Sequence, residues 1–382
     1  MVEQPKPLIE DLLERISRNG SIRFDEFMEL ALYHPSGGFF SSGGGAGRAG
    51  ADFLTSPEVG PLFGAVLAEF LDARWQELGC PDPFVVVEAA AGRGALAIAV
   101  RAAQPVCAPA LRYVLVERSE ALRERQGDYL PLVQPYEVFG PATDEDQALL
   151  TVDQGAGPLF CSLADLPAES VVGVVIANEL LDNLPVRILE RGHAGWLELR
   201  VTVQDGELSE LLVPADPVTD RLANELLPHA LLGARIPLQT QAADWLYRAL
   251  SLLQKGSVLV VDYCADSAGL SERSSAEWLR TYQAHKRGQH PLHAPGSQDI
   301  TCEVALDQLQ RVAPGLQSLR QADWLSQWGI DRLVEVGRQI WSEGASEGSL
   351  EAVRGRSRVI EAEALLDPAG LGDFQVLEWH IG

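Results

Sequence analysis

Lysine is almost missing from this chain. It occurs only at Lys6, Lys255 and Lys286, so arginine supplies nearly all of the 30 cationic side chains set against 54 carboxylates. The formal charge of −24 argues against a nucleic-acid partner, because gripping a phosphate backbone takes clustered cations. Such a surface would instead attract a basic protein segment. No apolar run approaches the roughly 20 residues of a membrane-spanning helix, which argues against membrane insertion. The five cysteines, Cys80, Cys107, Cys161, Cys264 and Cys302, are scattered, odd in number and without CxxC spacing. They read as reduced thiols and give neither a disulfide framework nor a metal site. The opening MVEQPKPLIEDLLERI lacks both a signal-peptide apolar core and an acid-poor, Arg-rich transit composition. Cytoplasm is the expected location.

What is present is a core-forming composition, 46% hydrophobic over 382 residues, enough for one large or two ordinary domains. The most informative stretch is FVVVEAAAGRG, Phe84 to Gly94. It reads as a buried strand, Phe84–Val87, ending on the carboxylate Glu88, then a turn of small residues, then the helix-forming ALAIAVRAA. Such a strand–turn–helix brings backbone N–H groups and a helix start up to a ligand.

Further strand signals follow at Tyr113–Glu117, Leu159–Ser162, Val171–Ala177, Ser257–Asp262, Leu316–Arg320 and Asp373–His380, with helical patterns between them. The alternation predicts an α/β fold with a doubly wound, mostly parallel sheet. Trp196–Val203, the turn Asp205-Gly206 and Leu208–Val213 predict an antiparallel hairpin. Leu279–Thr301 is polar and turn-rich and is expected to be a surface loop. Four segments are expected: a helical N-terminal cap with a Gly-rich lid (1–60), the first part of the core (61–185), an inserted α+β substrate-recognition region (186–250), and the rest of the core (251–382).

Three strand ends carry the chemistry. Glu88 stands with Gly92 and Gly94 at the first. Glu117 ends the second, where a carboxylate can accept from both hydroxyls of an adenosine ribose. Asn178, Glu179 and Asp182 follow the fourth strand, an amide and two carboxylates placed for the reactive end of a cofactor. Asp165, after the third strand, reads equally as a contact to an adenine amine or as a surface cap. Gly92-x-Gly94-x-x-Ala97 also fits a dinucleotide fingerprint. In that fingerprint the first glycine follows the strand almost at once, whereas Glu88 and three alanines intervene here. The spacing fits the acid-x-Gly-x-Gly-x-Gly turn of S-adenosyl-L-methionine (SAM) sites, and a sulfonium cation favours an acidic surround. A nicotinamide oxidoreductase is the alternative.

The chain resembles the MidA-like family of class I methyltransferases, which includes mitochondrial complex I assembly factors that methylate arginine. The resemblance is carried by FMELALYHPSGGFF (Phe27–Phe40), DFLTSPEVGPLFG (Asp52–Gly64), VEAAAGRG (Val87–Gly94) and YVLVERSEALRERQ (Tyr113–Gln126). It continues through ANELLDNLPV (Ala177–Val186), IPLQTQAADWL (Ile236–Leu246), VVDY (Val260–Tyr263), LRTYQAH (Leu279–His285) and APGSQDIT (Ala294–Thr301). It implies a Rossmann-like, seven-stranded, SAM-dependent methyltransferase acting on a protein side chain, arginine first, presented by a partner such as a respiratory-complex subunit. It also suggests a cofactor-lid role for Thr55, Ser56 and Glu58, which otherwise read as helix caps. Asn178, Glu179 and Asp182 become the catalytic, substrate-side candidates, since carboxylates hold a guanidinium by bidentate hydrogen bonds. Ala90 stands where the family pattern has glycine, Ala51 precedes Asp52-Phe53 in place of another, and Cys264 replaces a third. An idle, cofactor-binding assembly factor is the reading those departures leave open.

Overall fold

A computed structural model describes residues 6–42, 55–140, 154–283, 286–344 and 349–382. Most of the expected Gly-rich lid (43–54) and His285 lie outside the described residues. The chain divides into two compact units: Leu54–Glu179 with Arg248–Asp262 and Gly315–Gly382, and Met1–Phe53 with Leu180–Tyr247 and Tyr263–Pro314.

The first unit, the core unit, is built on seven strands: β1 Phe84–Ala89, β2 Leu111–Val116, β3 Leu159–Leu163, β4 Val171–Asn178, β5 Leu253–Asp262, β6 Gln317–Arg320 and β7 Gln375–Ile381. Their order is β3-β2-β1-β4-β5-β7-β6. The first five pair in parallel, and β7 runs antiparallel to both β5 and β6. Every residue of β1 and β2 is buried, which is why these segments read as continuous Val- and Leu-rich runs rather than alternating ones. Strand order reverses between β1 and β4. Ligands of open α/β sheets bind at the carboxyl ends flanking such a switch point.

The sheet is tightest where β1, β4 and β5 meet. A Cβ on Gly173 of β4, at φ +156°, would lie 1.8 Å from the Val85 carbonyl oxygen, and one on Gly256 of β5 would lie 1.7 Å from that of Gly173. Neither position admits a side chain without moving backbone.

In the second unit, strand Trp196–Gln204 pairs with Ile22–Arg23, Arg187–Arg191 and Glu207–Pro214, and Arg187–Arg191 also pairs with Arg235–Leu238. The hairpin closes on Asp205 (φ +53°) and Gly206 (φ +83°), two positive φ values in succession, as a type I′ turn requires. Helix Leu8–Asn19 buries Leu8, Leu12 and Ile16, at i, i+4 and i+8, against Phe24, Phe27, Val186, Ile188, Leu199 and Trp278.

Two expectations are revised. Leu279–Thr301 is no simple surface loop: Leu279–Gln283, Lys286–Arg287 and Asp299–Cys302 form a three-stranded antiparallel sheet. Asp299–Cys302 is buried along its whole length, but its polar Asp299 and Thr301 and the turn-rich residues before it hide the strand pattern. Tyr263–Pro314 also clusters with this second unit, although its place in the sequence, after β5, had put it with the core. Gly173→Ala is expected to lower unfolding stability by about 3 kcal/mol, the upper range for overpacking. A urea titration checks this, and an unchanged midpoint would refute the packing argument.

Candidate cofactor site

The turn leaving β1 has three residues of positive φ in five: Ala90 (+56°), Gly92 (+52°) and Gly94 (+84°). Ala90 therefore takes the left-handed conformation that a glycine would take, with its methyl group exposed. The two glycines differ in purpose. A Cβ on Gly94 would come within 2.9 Å of Leu115 Cδ2, so this glycine serves packing under the helix Ala95–Ala103. A Cβ on Gly92 would meet nothing within 4 Å, so the backbone there borders open space that a ligand can enter.

The Gly92 peptide is held from both sides. Its N–H donates to Glu117 Oε2 at 2.9 Å, and its carbonyl accepts from Gln126 Nε2 at 2.8 Å. Gln126, fully buried, accepts in turn from the Ser162 hydroxyl at 2.6 Å. Glu117 Oε1 accepts from the Ser119 N–H at 2.8 Å. A carboxylate has about four acceptor positions, so its amide partners do not exhaust it.

Glu88 is buried at the end of β1 and accepts from the Tyr113 hydroxyl at 2.8 Å. Burial pushes its carboxyl up to about 8; the Tyr113 hydrogen bond opposes this, and the charge of Glu117 reinforces it. Glu88 thus holds a proton at neutral pH. Glu117 is also raised, first by burial, against the pull of the Ser119 and Gly92 amides. Glu117, joined by Glu88 once a nearby cation draws off its proton, suits a cationic ligand and repels a pyrophosphate.

At the end of β4, Glu179 takes φ +51°. Its Oε1 accepts from Asn178 Nδ2 at 3.1 Å and from the Ser56 N–H at 3.4 Å. Asn178 Oδ1 is buried and has no hydrogen-bond partner among the described residues, so it is open to a donor. Glu58 approaches Arg93, between the two glycines, with Oε1 at 3.6 Å from Nη2. Thr55 makes no side-chain cap to the short helix Ser56–Val59.

The core unit therefore gathers Ser56, Glu58, Glu88, Gly92, Glu117, Asn178 and Glu179 through direct contacts or a shared turn. Asp165 stands apart, exposed, pairing with Arg248 at 2.8 Å and with the N–H of Leu166, as in its surface reading. Asp182 belongs to the other unit, in the turn Leu181–Asn183. It is buried, and burial raises its carboxyl to about 7 against the amides of Asn183 and Asp182 itself. Its neighbour Asn183 donates to Asp299 Oδ1 at 2.9 Å, and Tyr33 donates to the Asn183 carbonyl at 3.1 Å. The sequence pattern gives no role to Gln126 or Asn183: a glutamine at the end of a charged helix and an amide two residues before a proline carry no local signature. Among the described residues no His, Cys, Asp and Glu side chains group as metal ligands, and no helix is long and apolar enough to cross a membrane.

The strand order, with an antiparallel β7 set between β5 and β6, departs from the dinucleotide order 3-2-1-4-5-6. With an acidic turn in place of a phosphate cradle, it defines the SAM-dependent methyltransferase class. Residues 66–322 match the family described as "Putative S-adenosyl-L-methionine-dependent methyltransferase", and the chain belongs to this family, the MidA-like methyltransferases. It is similar to the protein named "Protein arginine methyltransferase NDUFAF7, mitochondrial" of Mus musculus, 26% identical over 354 residues that cover 87% of this chain and 76% of that one. The Homo sapiens protein of the same name is 27% identical over 86% and 75%. A crystal structure of a Burkholderia thailandensis protein bound to S-adenosylhomocysteine superposes with a TM-score of 0.76. It is 26% identical and covers 98% of this chain and 92% of that one. The protein is SAM-dependent.

The raised carboxyls set a sign for stability against pH. Between the ordinary carboxylate value and about 8, the folded protein holds a proton on Glu88 that the unfolded chain has released. Stability from this group is therefore lost as pH rises through that window, by up to about 1.4 kcal/mol per pH unit. Urea unfolding of the ligand-free protein at a series of pH values should show this slope, and Glu88→Gln should remove the Glu88 share of it, leaving the part due to Asp182 and Glu117. An unchanged slope in the variant would contradict the protonated Glu88.

Proposed function

We propose that this protein transfers a methyl group to a protein side chain, arginine first, and that the strand-end residues divide the work. The observation that carries the cofactor half is the Gly92 peptide, fixed by Glu117 and Gln126 while its Cα faces open space. In this reading Glu117 receives the ribose hydroxyls, and Gly92 gives close backbone approach. Glu88 offers a carboxyl whose ionisation a nearby cation would favour. Ala90 keeps the turn that a glycine would make. Thr55, Ser56 and Glu58 close over the cofactor, with Glu58 tethered to Arg93.

The cofactor, when bound, supplies a methyl group on a cationic sulfur. Methyl transfer needs in-line placement of nucleophile, carbon and sulfur more than acid–base help. The substrate half falls to Asn178, Glu179 and Asp182. Asn178 Oδ1 is a buried acceptor without a partner among the described residues, suited to an N–H of the incoming side chain. Carboxylates orient a guanidinium by paired hydrogen bonds, and Asp182, raised to about 7, can take up the proton that the methylated nitrogen loses. The arginine assignment rests on the names of the relatives and on the net charge of −24, which favours a basic segment. A respiratory-complex subunit as that partner rests on the family resemblance, and a cytoplasmic setting rests on the cysteine pattern.

Two outcomes test this. Gly92→Val should weaken S-adenosylhomocysteine binding at least 100-fold, about 2.7 kcal/mol, by filling the open space and by straining a β-branched residue at φ +52°, so its melting temperature is measured alongside. Isothermal titration checks it, and near wild-type affinity would remove Gly92 from the site. With lysate and SAM labelled on the methyl group, wild type should label an acid-stable protein band on arginine. Asp182→Ala should lower the rate at least 100-fold and leave cofactor affinity within twofold. Equal labelling by the variant would overturn the role of Asp182, and no labelling by wild type would favour an idle binder.

A further inference from the structure

The segment Thr55–Gly60 touches the site through Ser56 and Glu58 and is turned by the Glu58 and Val59 N–H groups donating to the Thr55 carbonyl. Neither N-cap residue, Thr55 or Gly60, caps the helix Ser56–Val59 or the following helix Pro61–Glu77 with a side chain. Its anchors come from the far end of the chain, within the same compact unit. The Ser56 hydroxyl donates to Gln321 Oε1 at 2.9 Å, and Gln321 is fixed in turn: its Nε2 donates to the Leu365 carbonyl at 3.3 Å and its N–H to that of Phe374 at 2.7 Å. Glu361, on the helix Leu350–Leu365, accepts from the Leu62 N–H at 2.8 Å and from the Ser357 hydroxyl at 2.5 Å. Ser56 and Gln321 are fully buried, and Glu361 is 2% exposed.

Gly60 shows how close this grip is. Its backbone is extended, and a Cβ there would lie 2.2 Å from Glu361 Cδ. The glycine is needed so that the carboxylate can reach the first free N–H of the helix, the place where negative charge is favoured. From the opposite side the same segment meets Glu179 through the Ser56 N–H and Arg93 through Glu58. A short helix is thus fixed by the C-terminal part of the unit at one face and presented to two strand-end turns at the other.

We propose that Gln321 and Glu361 are positioning residues for the cofactor, acting through the 55–60 segment on Glu179 and Arg93. This rests on the reading that those strand ends hold the cofactor. It means that the C-terminal part of the chain sets cofactor affinity without touching the cofactor.

The test is titration of the full-length protein with S-adenosylhomocysteine, alongside its melting temperature. Ser56→Ala, Gln321→Ala and Glu361→Ala should each raise Kd about tenfold or more. Glu361→Gln keeps an acceptor for the Leu62 N–H and should restore Kd to within about threefold of wild type. Leu377→Ala, in the buried centre of β7, serves as a control that lowers the melting temperature without touching the segment, and its Kd should stay within twofold. Ser56→Ala removes one hydroxyl and no packing volume, so the proposal stays testable if the larger changes fail to fold. Unchanged Kd in the folded clamp variants, with binding lost in Gly92→Val, would overturn the clamp and leave the site standing. Unchanged Kd in those variants and in Gly92→Val alike would overturn both. A rise in Kd for Leu377→Ala equal to that of the clamp variants would reduce the effect to general stability and overturn the proposal.

Discussion

One peptide group organises the core unit's site. Inside a turn closed by the Gly94 N–H donating to the Ala91 carbonyl at 2.8 Å, Gly92 keeps a left-handed conformation beside open space. Glu117 from the end of β2 takes its N–H, and Gln126 from the following helix takes its carbonyl. The strand that carries Glu117 pairs directly with β1, so the parallel sheet itself brings the clamp to the turn. Removing Glu117 would therefore take away a candidate ligand contact and also loosen the backbone that the ligand approaches.

Electrostatics follow from the same crowding. Glu88 and Glu117 lie buried at adjacent strand ends, and the sheet cannot solvate both charges. Burial favours the protonated form of Glu88, whose Oε2 accepts from the Tyr113 hydroxyl. In the proposed reading, a cation arriving nearby would favour proton release and so couple cofactor affinity to pH through a residue that the sequence shows only as a strand-end acid. This also gives a physical reason for an acidic turn where phosphate-binding folds use an uncharged one.

Much of this was legible in the chain itself. The runs FVVVEA, LRYVLV and VVGVVIAN announce buried parallel strands because burial on both faces demands continuous apolar residues, and strand ends are where ligands of such sheets bind. Glu88, Glu117, Asn178 and Glu179 could be picked out for that reason alone. The hairpin at Asp205-Gly206 was equally plain from its turn chemistry. What stayed hidden depends on contacts between distant residues. Gln126, Gln321 and Glu361 look like ordinary polar helix residues until the fold buries them against Gly92, Ser56 and Leu62. The small sheet through Leu279–Gln283 and Asp299–Cys302 was hidden by its polar, turn-rich composition. Asp299, in the same polar stretch, is buried and accepts from Asn183.

The central claim, that Glu117 is the ribose acceptor of a SAM site, is tested most directly by a thermodynamic cycle. S-adenosylhomocysteine and its 2′-deoxyribose analogue would each be titrated into wild type and into Glu117→Ala. In wild type, loss of the 2′-hydroxyl should cost about 1.5–3 kcal/mol, the range for a hydrogen bond to a charged group. In the variant that difference should nearly vanish. The same penalty in both proteins would contradict the assignment and place the ribose elsewhere.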